Sequence, residues 1–146
     1  MRTLIGLLSL VLCACAFGED PNGASTDPPS VDETVVLDRV ESEDATFRVV
    51  RTVKNLEHPW GVDWLPDGRR IITERPGKLM LVSDGEVTAL SGLPDIWVGG
   101  QGGLLDVAVP PNYDETGWVY FTYSAPGDGG KGTVLSRAKL DGASLT

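Results

Sequence analysis

Trp60-Gly61-Val62-Asp63-Trp64-Leu65, closed by Pro66-Asp67-Gly68 and followed by Arg70-Ile71-Ile72-Thr73-Glu74, is a β-type run, a turn and a second β-type run. The turn residues act by different means: Pro presets φ, and Gly accepts a left-handed backbone. The pattern extends on both sides. Downstream, Pro76-Gly77 leads into Lys78-Leu79-Met80-Leu81-Val82, and Asp84-Gly85 offers a two-residue hairpin turn into Glu86-Val87-Thr88-Ala89-Leu90. Upstream, Phe47-Arg48-Val49-Val50-Arg51-Thr52-Val53 mixes β-branched and charged residues. No window carries the apolar stripe of a helix.

The set then recurs. Leu105-Asp106-Val107-Ala108-Val109, a Pro110-Pro111 turn, Trp118-Val119-Tyr120-Phe121-Thr122-Tyr123 and Thr133-Val134-Leu135-Ser136-Arg137 repeat the earlier order. Pro66 aligns with Pro110 at an offset of 44 and Thr73 with Thr122 at an offset of 49, the difference being an insertion over 112–117. A repeat of this length built from short strands is the signature of β-propeller blades. The fold expected is therefore all-β, with the first blade and most of a second present. A propeller needs roughly four to eight blades, so 47–146 reads as the N-terminal piece of a longer protein. A small β-domain complete in itself is the alternative.

Composition agrees with short strands. The 146 residues include 18 Gly and 10 Pro, which break up long helices. The formal net charge of -9 argues against a basic nucleic-acid-binding domain. Most of that charge is local. Residues 19–46 hold nine acids against the single base Arg39, whereas in 47–146 twelve acids meet ten bases. With few apolar side chains to offset ordering entropy, 17–46 reads as an acidic disordered tether. Within it, Val35-Val36-Leu37 has the residue types of a short strand.

Residues 1–16 read as an export signal. Arg2 precedes the uncharged run Leu4-Ile5-Gly6-Leu7-Leu8-Ser9-Leu10-Val11-Leu12, too short for a membrane span of about 20 residues but suited to a secretory signal. Two endings fit. Leu12-Cys13-Ala14-Cys15 resembles a lipobox, in which Cys15 would be lipidated; alternatively, Ala14 and Ala16 form a cleavage site. Either ending makes the protein exported, to the periplasm or the cell surface, with a membrane reached only through the lipid. Because Cys13 and Cys15 are the only cysteines, 47–146 has neither a disulfide nor a thiol nucleophile.

Three segments are candidates for chemistry. His58, the only histidine, sits in Glu57-His58-Pro59-Trp60 with no second histidine and no cysteine to complete a metal site, and reads as a turn residue. Gly127-Asp128-Gly129-Gly130-Lys131-Gly132 looks like a nucleotide loop. However, Ala125 stands where the first loop glycine belongs and Gly132 where Ser/Thr belongs, so it reads as a hairpin loop. Gly99-Gly100-Gln101-Gly102-Gly103 says more: glycines permit close backbone approach around an amide that both donates and accepts. A plain tight turn would explain it too. Trp60, Trp64, Trp97 and Trp118 read as core and inter-blade packing residues.

Leu56-Glu57-His58-Pro59-Trp60-Gly61, Leu65-Pro66-Asp67-Gly68, Ile72-Thr73-Glu74-Arg75 and, above all, Leu93-Pro94-Asp95-Ile96-Trp97-Val98-Gly99-Gly100-Gln101-Gly102-Gly103-Leu104-Leu105-Asp106-Val107 resemble the glucose/sorbosone dehydrogenase family. The branch most similar is the soluble aldose sugar dehydrogenases that depend on pyrroloquinoline quinone (PQQ). The resemblance spans about 47–142 and implies a six-bladed propeller. It implies oxidation of an aldose at its anomeric carbon to a lactone, with electrons passed through PQQ to an external acceptor. The protein's part in that chemistry is to bind, orient and supply a base. Gln101 falls on the family glutamine that hydrogen-bonds the quinone. The family's catalytic histidine and calcium ligands are expected beyond residue 146, and His58 does not match that histidine, so these 146 residues alone are expected to be inactive. A propeller lipoprotein without cofactor, binding a ligand or a protein, is the alternative function.

Overall fold

The computed structural model describes residues 25–146. The signal, Cys13 and Cys15 lie outside the described residues. Strands β1 (Ser30–Glu41) and β2 (Thr46–Lys54) form an antiparallel pair of their own. This corrects the tether expectation over 30–41, where a strand of twelve residues replaces disorder. The cause is cross-strand pairing. Val31, Val35, Leu37 and Val40 stand opposite Val53, Val50, Val49 and Phe47, and such β-branched and aromatic pairs stabilise a ladder despite acidic flanks. Val31 and Val53 also pack against Ile72, Met80 and Val82. The Phe47–Val53 run thus belongs to this hairpin and not to a blade sheet.

The first blade comprises β3 (Pro59–Trp64), β4 (Arg70–Glu74), β5 (Lys78–Ser83) and β6 (Glu86–Ala89), hydrogen-bonded in that order. Its turns follow the sequence signals. Asp84 (φ 50°) and Gly85 (φ 82°) link the paired residues Ser83 and Glu86, the two-residue turn with both centres left-handed. The second blade comprises β7 (Leu104–Ala108), β8 (Trp118–Gly127), β9 (Gly130–Asp141) and β10 (Ser144–Leu145), with β7 and β10 at its edges. The insertion between repeats is one helical turn, α1 (Tyr113–Thr116), ended by left-handed Gly117. The fourth strand is therefore present, although only two residues long.

The blades bury one face against each other. Ile71, Leu79 and Leu104 are fully buried in a cluster that also holds Leu81, Val119 and Phe121. Each such side chain contributes about 1.5–3 kcal/mol. Alternation along β4 divides its neighbours. Ile71 joins the inter-blade cluster and Thr73 bonds to Leu105 of β7, whereas Ile72 faces the β1–β2 hairpin. Among the described residues no tryptophan lies in the buried core, which corrects the core part of that expectation. Trp60 and Trp64 are 51% and 56% exposed, and Trp97 and Trp118 lie half-buried under cationic side chains. Trp60, Val62 and Trp64 alternate along β3 on one face, all of them exposed.

Candidate functional site

Strand β3 is an edge of the first blade, β7 is an edge of the second, and the two touch. They are thus the inner strands, and the turns entering them share an end of the molecule with the β4–β5 and β8–β9 hairpins. Four segments meet there: Glu57-His58, Glu74–Lys78, Gly99–Gly103 and Gly127–Lys131.

The Gly99–Gly103 segment is a built turn. Gly99 and Gly102 exchange backbone hydrogen bonds at 3.2 and 2.8 Å around Gly100 and Gln101. Gly100 has φ +57° while Gln101 does not have positive φ, the pattern of a II′ turn with glycine at its first centre. The indole of Trp97 lies against the turn: a Cβ on Gly102 would stand 2.5 Å from Cζ3. Lys131 Nζ sits 3.9 Å from the centroid of the same indole, and the Trp97 backbone N–H donates to the Ser124 carbonyl at 2.7 Å. Ser124 and Gly103 are joined by a backbone bond of 2.8 Å and by the Ser124 hydroxyl. Arg75 supports the turn from the first blade, its Nη1 donating to the Gly100 carbonyl. The result is an exposed Gln101 on a turn fixed by both blades, with open space beside Gly100.

His58 is placed otherwise. It is exposed with φ 49°, and its carbonyl accepts the Arg75 N–H at 3.0 Å. The neighbouring Glu57 N–H donates at 2.6 Å to Oε1 of Glu74, a fully buried carboxylate. Oε2 of Glu74 has no hydrogen-bond partner, and its nearest cation, Lys78 Nζ, stands 3.9 Å away. His58 thus serves a turn through its backbone. Gly127–Gly132 lies within the β8–β9 hairpin, as Gly127 pairs with Gly130 and Gly132 with Ala125. Its Lys131 turns back onto Trp97.

Sequence reasoning singled out the Gly99–Gly103 segment but not the contacts that hold it. Ser124 and Arg75 reach the turn across 21 and 25 residues of chain, Lys131 reaches Trp97 across 34, and local composition carries no signal for such contacts. Thr73 was legible only as a repeat landmark. Its hydroxyl accepts the Gly61 N–H at 2.8 Å and donates to the Leu105 carbonyl, and Thr122 likewise accepts the Asp106 N–H at 3.0 Å. Both inner strands have register breaks there, between Pro59 and Val62 and between Leu104 and Val107. The aligned threonines serve amides at those breaks.

This two-blade architecture, with its glycine-framed turn entering the second inner strand, is that of a β-propeller. The match is direct: the Glucose / Sorbosone dehydrogenase family model covers residues 56–146, and the chain belongs to that family. Aldose sugar dehydrogenase YliI of Escherichia coli K12 is 40% identical over 100 residues, covering 66% of this chain and 27% of the relative. The apo form of the soluble aldose sugar dehydrogenase from Escherichia coli superposes with TM-score 0.58 at 37% identity, covering 62% of this chain and 28% of that one. A PQQ-bound aldose sugar dehydrogenase from Streptomyces coelicolor superposes with TM-score 0.53 at 28% identity, covering 60% and 26%. The chain spans 36% and 27% of the curated relatives it matches.

Proposed function

We propose that the full-length protein carrying this chain is an exported, PQQ-dependent aldose dehydrogenase that oxidises the anomeric carbon to a lactone and passes electrons to an external acceptor. The observation that carries the proposal is Gln101, an exposed amide on a fixed turn at the mouth of an inner strand. The residues present fit one edge of such a cofactor. The amide can donate to a quinone oxygen, and the glycine at position 100 leaves room for a planar ring. PQQ, when bound, accepts the hydride from the sugar. Gln101 contributes binding and orientation, and a turn fixed in advance by Trp97, Ser124 and Arg75 loses little entropy on binding. The base and the calcium ligands are assigned beyond residue 146. A relative with PQQ bound supports the cofactor assignment.

The test is reconstitution. The full-length apoprotein, given PQQ and calcium, should retain the quinone through gel filtration and reduce a dye when an aldose is added. Quinone that elutes apart from the protein would overturn the proposal. Periplasmic or surface location, with Cys15 as lipid anchor, is part of the proposal and rests on the signal pattern. A fatty-acid analogue should label the wild type, and Cys15→Ala should move the protein to the soluble fraction. An unlabelled wild type would replace the anchor by simple export.

A further inference from the structure

Arg75 lies in the turn between β4 and β5 and holds both turns that enter the inner strands. Its N–H donates to the His58 carbonyl at 3.0 Å, its carbonyl accepts the Leu104 N–H at 3.0 Å, and its Nη1 donates to the Gly100 carbonyl. Gly103 lies so close that a Cβ there would stand 2.1 Å from the Arg75 oxygen. The Gly100 carbonyl belongs to the central peptide of the turn, the plane whose other end is the Gln101 nitrogen. That peptide is the soft part of a β-turn, because turn types differ mainly in its orientation. Glycine at position 100 lowers the cost of flipping it. A flip would carry the Gln101 side chain to a different direction.

The guanidinium is kept at this carbonyl although its Nε is buried without a partner. A side chain selected for packing alone would not need to leave that donor unmet. We propose that Arg75 is a positioning residue: it locks the Gly100–Gln101 peptide in one orientation and so aims the Gln101 amide at the quinone. This inference rests on the PQQ proposal above and adds to it a residue that acts through the Gly100–Gln101 peptide.

The experiment is a double-mutant cycle on the full-length apoprotein. PQQ is titrated into wild type, Arg75→Met, Gln101→Ala and the double variant, with quinone absorbance reporting binding and thermal melting reporting the fold. Arg75→Met should weaken PQQ binding about tenfold, the scale of one hydrogen bond. The double variant should bind within about twofold of Gln101→Ala alone, because a residue acting through Gln101 has nothing left to act on. Arg75→Lys, which keeps a donor for the Gly100 carbonyl, should recover most of the affinity. Should Arg75→Met not fold, Arg75→Gln replaces it in the same cycle, being too short to reach that carbonyl. Additive losses, or wild-type affinity in the folded Arg75→Met (or Arg75→Gln) variant, would overturn the positioning role while leaving the PQQ proposal intact. A wild type that binds no PQQ would overturn both.

Discussion

The hydroxyl of Thr73 meets two backbone groups at once, the Gly61 N–H within its own blade and the Leu105 carbonyl of the next. It is fully buried, so no water can replace it. Thr73→Val keeps the shape but strands both groups, and should destabilise the full-length protein by about 1–3 kcal/mol in urea unfolding. Thr122→Val, at a half-buried site with one such bond, should cost less. Equal costs, or none, would show that the register breaks are satisfied by other means. At this scale Gln101 was legible because glycines on both sides of one amide are a local signal. The function of Thr73 was not, since its second partner lies 32 residues away.

Among the elements, the β1–β2 hairpin departs most from what composition implied. Acidic residues dominate 19–46, yet Asp32 is paired with Arg51 across the strands. The hydroxyl of Thr34, and then the Arg51 guanidinium, hold the Asp32 carboxyl below its ordinary value of 3.8. A carboxyl lowered in the folded state stabilises fully above its unfolded value and loses that effect as pH falls through the folded one. Protection of the β1–β2 amides from hydrogen exchange should therefore weaken below about pH 3.8. Asp32→Asn should flatten that dependence, and an unchanged acid profile in the variant would assign it to other groups. Cross-strand partners such as Val35 and Val50 were individually visible in the sequence, but their register was not. The first blade's strands were legible because Pro66-Asp67-Gly68 and Asp84-Gly85 fix where they end, whereas the two-residue strand β10 carried no such signal.

For the whole molecule, the repeat offset set the architecture, and the family match over 56–146 agrees with it. The exposed stripe of Trp60, Val62 and Trp64, together with Leu135 at 67% exposure, lies on strands of both blades. Repeats of this kind stabilise one another by stacking, and two seldom suffice. Residues 25–146 expressed alone should therefore aggregate or melt without cooperativity. A monomer with a sharp transition would mean that two blades and the hairpin form a self-sufficient unit.

The central claim is that function resides at Gln101 and not at the lone histidine. It is tested most directly by PQQ retention and dye-linked aldose oxidation in full-length Gln101→Ala and His58→Ala, side by side. Loss of the Gln101 amide should weaken one or both by roughly ten- to a hundredfold, because a hydrogen bond with a charged partner contributes about 1.5–3 kcal/mol and each 1.4 kcal/mol is a factor of ten. His58→Ala should cost far less, since His58 serves its turn through the backbone carbonyl that accepts from Arg75. A fully active Gln101→Ala enzyme, or a folded but inactive His58→Ala enzyme, would contradict the assignment.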